Sequence, residues 1–380
     1  MTAGTAPGGS SIEVPGTWED YYAPEFVVRV GGQVVDRTTK GDVLQISVTL
    51  DENNPASFSL TVSDWDDVKL TFKHSSSRRF DPGKEVTIDL GYASRLQRVV
   101  TGVITSLSPR FPESASPTLT VTGQDLMRMM ANRQPKDGER KHYYQMTDAQ
   151  IAEEIAKRWD MTSDVIASAP QHPVVVQRQE DAVFLMERAK RIDYEFYISL
   201  GPGGEEKLSF VPRRDGRDGR SLQVHQFVWG TNLMSFTPRL SATGQVSEVT
   251  VRGWNSRTKQ PIDETVHASD LPSSAAADRS GPAKADKRTR KVVYDTAVAS
   301  ADEARRLAIS LLMERANAYT KGTAQVIGQP DLRPGDTVEI GKVGCRFQGQ
   351  YHVTKVVHSL GSGGFTTSFD VDRPVEGKCP

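Results

Sequence analysis

Histidine, clustered carboxylate and cysteine are the side chains with which this chain could do chemistry, and their spacing argues against each use. The seven histidines, His74, His142, His172, His225, His267, His352 and His358, are scattered. No two share the i, i+4 spacing that sets a pair of imidazoles on one helix face for zinc, so no metal site and no cofactor is expected. His352 and His358 read as hydrogen-bonded groups in a strand and at its end. Asp64, Asp66 and Asp67 around Trp65 have the composition of an acid/base pair or a divalent-cation site. No converging ligands are signposted elsewhere, and a solvated turn after a strand is the better reading. The two cysteines, Cys345 and Cys379, are too few for a disulfide-stapled scaffold. Cys345 has no cue for a partner base, and there is no GxSxG elbow. Gly361-Ser-Gly-Gly364 and Gly341-Lys342 fit neither a P-loop nor a dinucleotide spacing and read as hairpin turns. Asp193 and Glu195 read as the exposed face of a strand entry. Arg213-Arg214 and Arg217 to Arg220, interleaved with Asp215 and Asp218, read as a self-compensating charged loop. They lack the aromatics of a single-strand nucleic-acid groove. The expectation is no catalytic, cofactor-binding or metal residue, and no enzyme.

What the sequence does repeat is architecture. Phe80-Asp-Pro82-Gly83-Lys-Glu-Val-Thr-Ile-Asp-Leu-Gly91 is followed by Thr101-Gly102-Val-Ile-Thr and Thr118-Leu-Thr-Val-Thr-Gly123. Near the other end, Leu332-Arg-Pro334-Gly335-Asp-Thr-Val-Glu-Ile-Gly341 is followed by Gln348-Gly349-Gln-Tyr-His-Val353 and Thr366-Thr-Ser-Phe-Asp-Val371. In both, a Pro-Gly turn sets up an alternating Val/Ile strand and a later glycine begins the next, so one β-unit is used twice. Pro82, Gly83, Gly102, Pro334, Gly335 and Gly349 are therefore expected as the structural turn residues of the repeat.

The elements around the repeat divide the chain. Residues 1–20 are an arm too polar to bury a core, and 21–131 read as six short strands of a small barrel or sandwich. Residues 132–235 are a helix-bearing α+β insertion. In it, Thr147 and Gln150 form a capping box before an amphipathic helix over 148–159, a second helix runs from Glu180 to Ile192, and a hairpin spans Tyr194 to Val211. Residues 236–375 form the second barrel, with a mobile loop at 268–290 and a helix over 301–320 capped by Ser300 and Glu303, and 376–380 are a tail. The fold class expected is mainly β with an α+β insertion. A net charge of −1 from 47 basic and 48 acidic residues supplies no counterion-releasing surface, so direct nucleic-acid recognition is not expected. No apolar run reaches membrane-span length, only two cysteines are present, and Met1 to Gly16 has neither the basic start nor the apolar core of a signal peptide, which points to synthesis in a reducing cytosol without membrane insertion.

The motifs also resemble a known family. Phe80 to Tyr92, Thr101 to Thr105, Val121 to Leu126, Glu180 to Met186, Val228 to Leu233 with Phe236, Val249 to Trp254, and Leu332 to Asp336 with Gly349 to Tyr351 stand in the order of the late control gene D family of phage tail proteins. That family resembles the baseplate hub of contractile tails and the hub half of VgrG proteins. The resemblance implies two tube-protein-like β-barrels per chain and a homotrimer closing a pseudo-hexameric ring. It also implies partners: a tail tube ring, a trimeric spike and other baseplate proteins, in a virion tail or an injection particle. It implies no catalytic residues. The helix after Ala301 would pack beside the second barrel. Because the chain stops at Pro380, a separate spike is expected. The alternatives are a fragment of a secretion-system VgrG hub, a baseplate-associated wall hydrolase with an acid pair in a cleft, or an adhesin with clustered exposed aromatics.

Overall fold

A computed structural model describes residues 23–52, 54–92, 95–132, 141–168, 171–200, 205–213, 224–255, 258–270, 290–293, 298–377 and 379. The expected arm at 1–20, most of the expected mobile loop, and Arg214, Arg217 and Arg220 lie outside the described residues.

The first unit comprises β1 (Pro24–Val30), β2 (Gln33–Val34), α1 (Arg37–Asp42), β3 (Val43–Asp51), β4 (Ser57–Ser63), β5 (Trp65–Asp66), β6 (Thr71–Phe72), β7 (Glu85–Tyr92), β8 (Arg95–Arg110), β9 (Thr118–Gln124) and α2 (Leu126–Asn132). Strict alternation buries Phe58, Leu60 and Val62 of β4 and Leu119 and Val121 of β9, the period-two signature of a sheet with one covered face. Each such side chain contributes roughly 1.5–3 kcal/mol on burial.

The insertion follows with β10 (Lys141–Met146), α3 (Asp148–Arg158), β11 (Thr162–Val165), β12 (His172–Gln177), α4 (Asp181–Arg191), β13 (Tyr194–Leu200) and β14 (Glu206–Pro212). The Thr147–Gln150 capping box is formed in both directions, and α3 buries Ile151 and Ile155. β13 and β14 pair antiparallel, and the insertion has its own core around Phe184, Leu185, Phe196 and Phe210.

The second unit begins with β15 (Val224–Val228) and β16 (Leu233–Leu240). Then β17 (Glu248–Asn255), β18 (Gln260–His267), β19 (Arg290–Val293) and α5 (Ala301–Asn317) form a three-stranded sheet and a helix with a separate core of Val249, Val251, Val266, Leu307 and Leu312. Its last strands are β20 (Thr320–Ile327), β21 (Thr337–Gly341), β22 (Gly349–Gly361) and β23 (Gly364–Arg373).

Three details differ from the sequence reading. β15, expected within the insertion, pairs with β21, because its apolar Phe227 packs on Phe369 of the second unit. The helix expected over 301–320 ends at Asn317, where Thr320 enters β20 opposite Arg373. It packs mainly on β17 and β18, with a smaller contact to β23 of the main sheet. Ala268–Asp270, at the start of the expected mobile loop, form one 3-10 turn.

All the main strands join one 13-stranded sheet in the order β16-β20-β23-β22-β3-β4-β9-β8-β7-β1-β2, with β21 on β22 and β15 on β21. Within it, β1-β7-β8-β9-β4-β3 of the first unit and β15-β21-β22-β23-β20-β16 of the second follow the same path through space and the same chain order. One pairing differs: β1 runs antiparallel to β7, whereas β15 runs parallel to β21.

Candidate assembly interface

The two Pro-Gly turns are hydrogen bonded alike. Gly83, at φ +90°, donates to the Ile104 carbonyl (2.9 Å), and Ile104 donates back to Lys84 (2.9 Å). Gly335, at φ +86°, donates to Val353 (2.8 Å), and Val353 donates back to Asp336 (3.0 Å). Pro82 and Pro334 precede these glycines, whose left-handed backbone is unstrained only without a Cβ. Matching Ile104 to Val353 also matches a bulge: β8 slips against β9 between Ile104 and Ser106, and β22 slips against β23 between Val353 and Lys355. Gly349 starts β22, but Gly102 lies inside β8, where a Cβ would meet the Gln124 carbonyl oxygen at 2.5 Å; in this superposition it corresponds to Tyr351.

The two units meet edge to edge. The C-terminal half of β22 pairs antiparallel with β3, Lys355 opposite Asp51 through Leu360 opposite Ile46. This closed seam is dry: Ile46, Val48, Val356 and His358 are all 0% exposed. It is reinforced across the units, where Arg333 donates to the Arg98 carbonyl (2.9 Å) and the Tyr92 hydroxyl donates to the Gly328 carbonyl (3.1 Å).

The counterparts of these two edges are the edge of the C-terminal half of β8 away from β9 and the edge of β16 away from β20, and no described strand pairs with either. Their burial differs accordingly. Thr105, Ser106, Ser108, Pro109 and Arg110 are exposed, and Phe111, the counterpart of buried Leu360, is 58% exposed. On β16 and the turn before it, Met234 and Trp229 are 55% and 59% exposed.

A buried charged joint pins the insertion to both units. His352 of β22 is bonded to Glu52, which follows β3, and lies 3.4 Å from Glu195 of β13. Arg213, after β14, donates to Asp372 of β23 (2.7 Å). Burial and the Arg213 charge oppose the imidazolium, but Glu52 and Glu195 outweigh them and hold the His352 pKa above its usual value. Burial works against the Glu52 carboxylate, and His352 and Arg213 together bring its pKa below the ordinary range. Glu52, Glu195 and His352 also bring one potential ligand atom each within 4.8 Å of one another. The Arg213 guanidinium already supplies positive charge to both carboxylates there, so the donor set suits an internal ion network better than a metal ion.

These residues correct the sequence reading. Glu195, expected on an exposed face, is 7% exposed, because β13 packs against both units. Arg213, expected in a self-compensating charged loop, is half-buried and paired with Asp372 of the second unit. Cys345 and Cys379 form a disulfide across a sequence separation of 34, and the tail is further tied by the Gly377 amide to the Arg346 carbonyl (2.7 Å) and by Arg346 to Glu376 (2.7 Å). No local sequence signal marks the joint, since its members are contributed by separate elements.

The carboxylate cluster is built into turns. Asp64 is fully buried and accepts the amides of His74 (2.6 Å) and Ser75 (2.9 Å), while Asp66 accepts those of Val68 (3.1 Å) and Lys69 (3.0 Å). The histidines are dispersed: His74 bonds Asp42 (2.9 Å), His172 bonds Asp148 (3.2 Å), His225 lies 3.7 Å from Asp336, and His267 lies 3.3 Å from Glu248. His142 stacks on Tyr144, and His358 bonds Thr367 (3.1 Å), its pKa pushed down to about 3 by burial and then by Arg333. Among the described residues no helix is long and apolar enough to cross a membrane.

The fold is that of phage tail proteins. The chain superposes on the 43 kDa tail protein of prophage MuSo2 from Shewanella oneidensis with a TM-score of 0.69 at 15% identity, covering 93% of this chain and 99% of that one. It superposes on a tail protein of Neisseria meningitidis with a TM-score of 0.66 at 15% identity, covering 93% and 97%. For a type VI secretion system component of E. coli the TM-score is 0.56 at 14% identity, covering 89% and 76%. The mainly β architecture and the resemblance to tail proteins drawn from the motifs agree with these neighbours at the level of fold. No curated protein matches the chain in sequence. The Alg8 N-terminal domain model matches residues 22–362, most of the chain, and the protein therefore belongs to the Alg8 N-terminal domain family.

Proposed function

We propose that the chain is a structural baseplate hub of a contractile tail or phage-like injection device. Three copies would close a ring of six like β-units that adapts a hexameric tail tube to a trimeric spike. The observation that carries this is the doubled unit: one chain closes the seam between β22 and β3 and leaves its two counterpart edges, on β8 and β16, without a partner strand among the described residues. A contact between unlike edges is heterologous, so it closes a ring when the rotation per subunit divides a full turn. The buried His74, His172 and His358 and the Asp64 turn, each hydrogen bonded to neighbouring side chains or amides, support a structural part over a catalytic one.

Light scattering of the purified protein should give a trimer, and negative-stain averages should show a ring with a lumen. Pull-downs with the tail tube and spike proteins of the same particle should retain both. A species that stays monomeric up to high concentration, or that closes as a dimer, would remove the basis of the reading.

A further inference from the structure

The register of the closed seam fixes the register of the open one. Glu52 donates to the Thr354 carbonyl (3.2 Å), so Val356, His358 and Leu360 point their backbone groups at Leu50, Val48 and Ile46 of β3. On β8, Asp64 donates to Pro117 (2.9 Å), which turns the odd-numbered residues of β9 toward β4 and its even-numbered residues toward Ser106, Ser108 and Arg110. Leu107, Pro109 and Phe111 therefore face the open edge. On β16, Ser241 donates to Tyr319 (2.9 Å), which turns Arg239 and Thr237 toward β20 and leaves Phe236, Pro238 and Leu240 facing outward. The bulges at Leu44 and Met234 match these strands as counterparts, Ile46 to Phe236 and Val48 to Pro238.

We propose that β8 of one copy pairs with β16 of the next in the register of the internal seam, Phe111 opposite Phe236 and Leu107 opposite Leu240, and that Pro109 and Pro238 meet at its centre as a deliberate gap in the ladder. It rests on the ring proposed above. The occupant of each edge is a second copy of this chain, because each edge is the counterpart of one already satisfied inside it. At the internal seam the equivalent pair, His358 and Val48, has both amide donors; at the open seam neither residue has one. Proline on an exposed edge blunts indiscriminate strand addition. With the two central bonds removed, the seam depends on the flanking aromatic and leucine pairs fitting together. This favours the matching edge over any other strand.

Two measurements test this separately. Ser108 and Arg239 correspond to Val357 and Thr49, a directly opposite pair at the internal seam that does not exchange backbone bonds, where side chains approach most closely. A chain carrying Ser108→Cys and Arg239→Cys should crosslink between copies on oxidation, and one carrying Ser108→Cys and Thr237→Cys should not. Each of Pro109→Val and Pro238→Val restores one inter-chain amide donor without touching the bonds to β9 or β20. Each should lower the dissociation constant of the seam roughly twofold to tenfold, and together roughly by the product.

Wild-type and proline variants that all remain monomeric, with no crosslink, would sink the ring itself. Association with crosslinking only in the shifted pair, or proline variants that associate no better, would overturn the register and the gap while leaving the ring standing. A monomer whose Leu107 and Leu240 amides resist hydrogen exchange would assign the edges to another segment of the same chain, and would overturn both.

Discussion

Replacing Asp125 with Asn should stabilise the protein above neutral pH and leave it unchanged in acid. Asp125 lies between β9 and α2, where it is 6% exposed, and its Oδ1 has no hydrogen-bond partner among the described residues. Burial pushes its carboxyl up to about 7; the Ala56, Arg128 and Met127 backbone amides oppose the rise and the Glu206 charge adds to it. The unfolded chain releases this proton near 3.8 and the folded protein holds it to about 7. Between those values the folded state binds more protons, so the stability it retains in acid is lost as pH rises and the loss is complete above about 7. Roughly three pKa units at about 1.36 kcal/mol each give a ceiling of ~4 kcal/mol. Solvent screening through the neighbouring cavity, lined by Asp125, Asp164, Ser199 and Lys207, would lower this to an expected gain of about 2 kcal/mol. Asn retains an acceptor for the backbone amides and never ionises. Thermal and urea unfolding at pH 4, 6 and 8 would show a gain that grows from near zero at the lowest pH. An equal gain at all three values, or a loss at pH 8, would refute the assignment.

Three further outcomes follow from the turns, the tail and the joint. Gly83→Ala and Gly335→Ala impose the same positive φ, costing about 1–2 kcal/mol, but only at Gly335 would the new methyl stand 3.1 Å from Glu195, so urea midpoints should fall further for Gly335→Ala. Cys345→Ser opens a loop with a sequence separation of 34, and under oxidising conditions should lose about 3–4 kcal/mol against wild type, a difference that vanishes in reductant. His352 has a raised pKa, so its contribution is present in full below about 6.5 and is lost as pH climbs through the raised value; His352→Gln should flatten that alkaline decline in urea midpoints.

The strands, the two capped helices and the insertion hairpin were legible because each is written in local periodicity and capping chemistry. Thr147 with Gln150 is a complete capping box within four residues, and of the Ser300–Glu303 pair the Glu303 amide bond to the Ser300 hydroxyl is present, while the Glu303 carboxylate accepts the Ala299 amide instead (2.9 Å). The helix after Ser300 overran in the sequence reading because Ala318 and Tyr319 continue its apolar stripe. Tertiary pairing decides there, since Thr320 opposite Arg373 recruits the chain into β20. The charged joint was illegible for a different reason. Glu52, Glu195, Arg213, His352 and Asp372 come from five places in the chain, and a lone Glu beside a strand carries no mark that its partners lie across two other units. The disulfide was missed because composition speaks of scaffolds with many cysteines, whereas one pair is set by proximity alone.

The insertions give the proposed ring its two symmetries, and this yields a last prediction. In the first unit β3 passes to β4 through the short segment 52–56, whereas the matching passage from β16 to β20 carries β17 to β19 and α5. That helix leans on the other insertion: Ser310 is bonded to the Lys190 carbonyl of α4, and Arg191 lies 3.9 Å from Glu303. In a ring of three chains the six strand units would then be alike, but the bulk carried by these insertions would recur only at every second unit. A tube ring reading the strands of the proposed ring would meet six similar positions, and a spike reading the insertions would meet three. Ser241 and Tyr319 are directly hydrogen bonded, so residues 242–318 can be excised and the ends rejoined by a short turn without moving β16 or β20. That variant should still form rings and bind the tube, because the strand edges are untouched, while spike retention in pull-downs should drop at least tenfold. Loss of ring and tube binding together would mean that the insertions build the ring. Full spike retention would mean that the threefold face lies elsewhere on the chain.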